Sequence, residues 1–124
     1  MKIYRLMKVA PDGLPLVGTK FGMLGVRPRD PANPKKRFDV PAAAPADPVQ
    51  PGSGGLSVNT DPAALKPPDD EFVLWEVTHD ALGSGLRVTP DGPPHYVIEV
   101  AGPTTLDEMQ RRIAETREHW KRVQ

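Results

Sequence analysis

The sequence predicts a mixed class in which several short strands are followed by one C-terminal helix, all strung on long loops. Three observations carry that expectation. Period-two segments recur, clearest at residues 95–101, where Tyr96, Ile98 and Val100 fall on one face and His95, Val97 and Glu99 on the other. An apolar stripe of helical spacing, Leu106, Met109, Ile113, Trp120 and Val123, closes the chain. The 16 prolines among 124 residues are more than double the usual share of roughly 5%, so much of the chain is loop.

Taken in order, Ile3, Met7 and Val9 share one face of an opening strand, and Arg5 stands in phase with them. A guanidinium on an apolar face needs carbonyls, a carboxylate or a bound anion, or else snorkels outward from an edge position. Pro11-Asp12-Gly13 makes a turn, and residues 14–26, apolar but interrupted by Gly18, Gly22 and Gly25, read as an irregular strand or packed loop. Residues 28–53 hold seven prolines and read as a long extended connection, mobile or held only by surface contacts, within a single domain spanning 1–124. Gly52-Ser53-Gly54-Gly55 leads into Leu56-Ser57-Val58, a short strand with Ser57 opposite its neighbours. Asp61 caps one helical turn begun by Pro62. Phe72–Val77, apolar on both faces, is a central strand, and Leu86–Val88 a brief one. Thr105 and Glu108 form a capping box, and Asp107–Arg111, Glu108–Arg112 and Glu118–Arg122 are spaced as i, i+4 pairs.

Charge is balanced overall but blocked along the chain: residues 1–40 carry +6, residues 41–99 carry −7 and residues 100–124 carry +1. Either the blocks attract one another in the fold, or Lys20, Arg27, Arg29, Lys35, Lys36 and Arg37 face an anionic ligand such as a dinucleotide pyrophosphate. Neutrality and the lack of interleaved aromatics disfavour a nucleic-acid surface. The absence of cysteine fits a reducing compartment, so the expected location is the cytoplasm where the chain is made. No apolar run approaches the ~20 residues of a membrane helix, and the start lacks a signal peptide's apolar core, so any export uses a signal-peptide-independent system. His79, His95 and His119 lack metal-ligand spacing, and no metal site is expected. No phosphate loop or dinucleotide fingerprint is present, and a Ser57-His95-Glu99 nucleophile lacks the G-x-S-x-G elbow.

Arg5 on a first strand, Ser57 on a glycine-led strand and Glu99 on a late strand resemble the arginine, serine-motif and glutamate order of the ADP-ribosyltransferase fold. More specifically, Ile3-Tyr4-Arg5, Gly54-Gly55-Leu56-Ser57-Val58, and His95-Tyr96-Val97-Ile98 before a proline and a helix bearing Arg117 and Trp120 are similar to type VI secretion-system effector toxins of ADP-ribosyltransferase-like fold. The resemblance implies an α+β domain whose small antiparallel sheets splay around a cleft for NAD, used as substrate. It implies that Arg5 binds a phosphate or ribose, Ser57 holds the strand beside the nicotinamide ribose, and Glu99 stabilises the oxocarbenium-like transition state. Tyr4, Gly55 and His95 join Arg5 and Ser57 around the cofactor. It further implies an acceptor for ADP-ribose and an immunity or carrier protein as partner. Ser57 is flanked by Leu56 and Val58 rather than hydroxyl residues, and Val97 stands two residues before Glu99, so NAD hydrolysis stands beside ADP-ribosyl transfer.

The competing expectation is a non-catalytic protein-interaction module. There Arg5 pairs with a carboxylate such as Glu99, Ser57 is a turn residue and His95 lies on the surface. A solvent-open cleft holding Arg5, Ser57 and Glu99, as against a closed ion pair, separates the two.

Overall fold

The computed structural model describes residues 1–123. Its strands are β1 (Lys2–Lys8), β2 (Pro48–Val49), β3 (Leu56–Asn59), β4 (Phe72–Thr78), β5 (Leu86–Pro90), β6 (His95–Val100), β7 (Thr104–Thr105) and β8 (Lys121–Arg122), with one α-helix among the described residues, α1 (Leu106–Glu115). Six strands form one sheet in the order β5-β6-β3-β1-β4-β8, every neighbour antiparallel, and β2 pairs with β7 apart from it. The class is α+β.

Alternation decides which face is buried. Ile3 and Met7 of β1 stand opposite Val77 and Val73 of β4, and Leu56 of β3 stands opposite Ile98 of β6. On this face Ile3, Met7, Trp75, Val77, Leu56, Val58, Ile98 and Val100 meet Leu106, Met109 and Ile113 of α1. Burying each large apolar side chain contributes about 1.5–3 kcal/mol, so the face of α1 accounts for much of what holds the helix to the sheet. Thr105 caps α1 by accepting from the Glu108 N–H at 3.3 Å.

The helix is shorter than its stripe predicts. It stops at Glu115, a single 3-10 turn follows at Arg117–His119, and Lys121 and Arg122 pair with Glu76 and Trp75 of β4. Pairing with a sheet edge outweighs the tenths of a kcal/mol that a Glu118–Arg122 helical pair offers. Trp120 remains a core residue, 2% exposed, and its indole N–H donates to Thr116 Oγ1 at 3.0 Å. Arg111 engages Glu108 and Glu115 rather than Asp107, while the Glu108–Arg112 pair forms at 3.3 Å.

The proline-rich segment is also more than a surface connection. Val40, Ala42 and Val49 are core residues, Pro28 bridges to Val40, and the Arg27 N–H donates to Asp39 Oδ2 at 2.7 Å. Three apolar side chains spaced along a proline-stiffened loop are enough to seat it, because proline lowers the entropy lost on ordering.

β3 and β4 flank β1 and run parallel to each other, so residues 60–71 must cross β1, a span typical of such crossovers. Leu65, Lys66 and Pro68 of that crossover lie with Tyr4 and Leu6 around one cavity, on the face away from α1.

Candidate functional site

The sheet is narrowly joined at its middle. β1 meets β3 at Tyr4 opposite Asn59, whereas β1 and β4 are in register from Lys2–Thr78 to Lys8–Phe72. Beyond Tyr4 a side chain replaces the ladder: Arg5 Nη1 donates to the Ser57 carbonyl at 2.8 Å, and Nη2 to the Met23 carbonyl at 3.0 Å. The Met23 carbonyl reaches this point just after Gly22, which turns the chain at φ +81. Arg5 Nε is buried without a partner among the described residues. Desolvation pushes the Arg5 pKa down to about 10, the Asp39 charge opposing the shift and the Arg27 charge adding to it. A buried cation satisfied by carbonyls and still lacking one acceptor is an arrangement that folding alone does not favour, and such departures concentrate at functional sites.

The cavity under the crossover opens beside this junction. It encloses about 200 Å³ and is lined by Tyr4, Arg5, Ser57 and His95 together with Phe21, Phe72 and the crossover. Register puts Tyr4 in phase with Asn59, and Asn59 with His95, so β1, β3 and β6 each supply one strand-borne group to the same face. Phe21 is 62% exposed and packs against Phe72 with ring centroids 5.4 Å apart, while Lys8 Nζ lies 5.5 Å from the Phe72 centroid. Gly22 admits this pair, since a side chain there would overlap the Phe72 ring. His95 Nδ1 lies 3.1 Å from both the carbonyl and Oδ2 of Asp91. That leaves Nε2 as the ring nitrogen free of a protein bond among the described residues.

Glu99 and Gly55 lie elsewhere. Glu99 is 1% exposed, and its carboxylate accepts from the Gly52 N–H and sits 3.4 Å from Nε and Nη2 of Arg87, its cross-strand partner. Burial alone raises the Glu99 pKa, but hydrogen bonds from Thr89 and Gly52 and the Arg87 charge outweigh it and hold the carboxyl below its ordinary value. Glu99 is therefore paired with Arg87, not with Arg5. Gly55 is buried where a side chain would meet the Ile98 carbonyl and Glu99 Cα, which sets the close approach of β3 to β6.

Four of the six expected site residues thus meet, while Glu99 serves the β5–β6 pair and Gly55 the approach of β3 to β6. Phe21, Phe72 and Asp91 are the additions. A lone aromatic between Lys20 and Gly22 in a glycine-rich stretch, and a carboxylate four residues before His95 across a Gly92 turn, were the available signals. Among the described residues no group of three His, Cys, Asp or Glu side chains gathers as a metal site, and no helix is long and apolar enough to cross a membrane. No family model, curated protein or solved structure matches the chain.

Proposed function

We propose that this chain is an NAD-using, toxin-like domain that hydrolyses NAD or transfers its ADP-ribose. One observation carries the reading: Tyr4, Arg5, Ser57 and His95, from three separate stretches of sequence, line a single cavity walled by two aromatic rings. Ligand sites take this form, an apolar pocket with few convergent polar groups. The nicotinamide ring suits the Phe21–Phe72 wall, and Tyr4 and Ser57 offer hydroxyls to the ribose. In the reaction the bond from the ribose anomeric carbon to nicotinamide nitrogen breaks, its electron pair leaving with neutral nicotinamide. Water or an acceptor side chain bonds to that carbon and loses one proton. His95 receives it at Nε2, with Asp91 holding Nδ1. Glu99 in this reading maintains the fold.

A specific observation favours a second reading, the non-catalytic interaction module: no carboxylate lines the pocket among the described residues, and Glu99 is sealed under Gly52. Incubating the purified chain with NAD and measuring nicotinamide release decides between them. Activity should be present, and should fall by about 10²–10⁴-fold in His95→Ala with the melting temperature unchanged. No nicotinamide release and no NAD binding at millimolar concentration would leave the interaction module.

A further inference from the structure

The proline-rich segment shapes a second concavity beside the pocket, and Phe21 borders both. It encloses about 500 Å³ and is lined by Lys20, Arg27, Arg29, Lys36 and Arg37, with Asp30 as the carboxylate on its wall. Two of these charges are already engaged. The Arg27 guanidinium holds Asp39 at 3.1 and 3.3 Å, and Asp30 Oδ1 accepts from the Ala32 N–H at 3.0 Å. Arg29 spends only Nε, on the Pro41 carbonyl at 2.9 Å. Among the described residues Lys20, Arg29, Lys36 and Arg37 form no ion pair, although Lys2 and Lys8 of the same basic block reach Glu76 and Glu71.

The acidic middle of the chain therefore neutralises the first strand and leaves the groove cationic. Like charges on one concave wall repel, and an oxyanion entering between them relieves that repulsion while the low-dielectric walls strengthen its attraction. The Arg5 fork, the expected phosphate ligand, has both terminal nitrogens on carbonyls. The pocket, at about 200 Å³, is smaller than the ~300–1,000 Å³ typical of a site for a whole drug-sized ligand, so it takes one end of a longer molecule. The shared Phe21 makes the two spaces neighbours.

We infer that the groove formed by Lys20, Arg29, Lys36 and Arg37 binds a phosphoanhydride, the pyrophosphate of a dinucleotide whose ring end enters the neighbouring pocket. The identity of the whole ligand rests on the NAD reading, whereas the anion site stands on the groove. Arginine supplies a planar two-donor fork and lysine a point charge, a combination suited to bridging two adjacent phosphates.

The experiment is calorimetric titration of inorganic pyrophosphate into the wild type, the groove double variant Lys36→Ala/Arg37→Ala, and a remote control, Lys121→Ala/Arg122→Ala. Saturable binding is expected in wild type and control, weakening as ionic strength rises. The groove variant should bind about tenfold or more weakly. All four residues of the two variants are exposed, and circular dichroism verifies that the folds match. Equal affinity in wild type and groove variant, or pyrophosphate bound no better than sulfate, overturns the inference. Pyrophosphate held in the groove with no nicotinamide release from NAD upholds the groove and sinks the NAD reading. NAD consumed by the groove variant with an unchanged KM overturns the groove and leaves the NAD reading intact.

Discussion

Arg5 and Ser57 are joined by a hydrogen bond from guanidinium to backbone carbonyl, 2.8 Å long, across the place where β1 and β3 part. The bond does for the sheet's narrow middle what a ladder of amides does elsewhere, and it sets Ser57 beside Tyr4 and His95. Lysine carries its donors on one nitrogen instead of a planar fork, so it does not reproduce the two bonds that Arg5 makes from Nη1 and Nη2. Arg5→Lys should lower stability by about 1–3 kcal/mol, the cost of one buried acceptor left unpaired. Urea unfolding measures this, and a wild-type midpoint would mean that water takes the place of the fork.

Glu99 should behave as a structural carboxylate. Its folded pKa lies below its unfolded value of about 4.3, so the stability it contributes is present above that pH and is lost as pH falls through the folded value. Glu99→Gln should destabilise by about 1–3 kcal/mol at pH 7, and the gap to wild type should close below about pH 4. Thermal melts across the acid range test the sign. Loss of nicotinamide release by orders of magnitude in a Glu99→Gln protein of wild-type stability would return Glu99 to the reacting centre.

Trp120 fills the core beyond the end of α1. Trp120→Ala should cost about 3–5 kcal/mol through the cavity it leaves, and should also remove the indole N–H that the Thr116 hydroxyl accepts. Denaturant titration with tryptophan fluorescence from the remaining Trp75 reports it. An unchanged midpoint would contradict its burial.

Gly22 combines positive φ with contact against the Phe72 ring. Gly22→Ala should therefore destabilise by about 1 kcal/mol or more and displace Phe72 from Phe21. In the NAD reading it should raise KM more than it lowers kcat, because it disturbs the ring wall and leaves His95 in place. Equal KM in both proteins would show that the aromatic pair does not touch the ligand.

Much of the local structure is legible in the sequence because its causes are local. The alternation of Leu56, Ser57 and Val58, the cap of Asp61 on the Pro62 turn and that of Thr105 on α1 depend on residues a few positions apart, and each is found in place. The mixed strand-and-helix class follows from the same patterns. Arg5 was identifiable as a misfit, but its partners are backbone carbonyls, which every residue carries and no side-chain pattern announces.

By itself, then, the sequence determined where strands, caps and turns form and that Arg5 demanded partners, since propensity and period act over one or two turns of chain. Only the tertiary structure decided that Glu99 belongs to Arg87 and that β8 ends the helix early. It also decided that the basic residues of the proline-rich segment gather beside Phe21. Those outcomes turn on strand order and on the path of the 60–71 crossover, through which groups far apart in sequence become neighbours, and local preference cannot encode that choice.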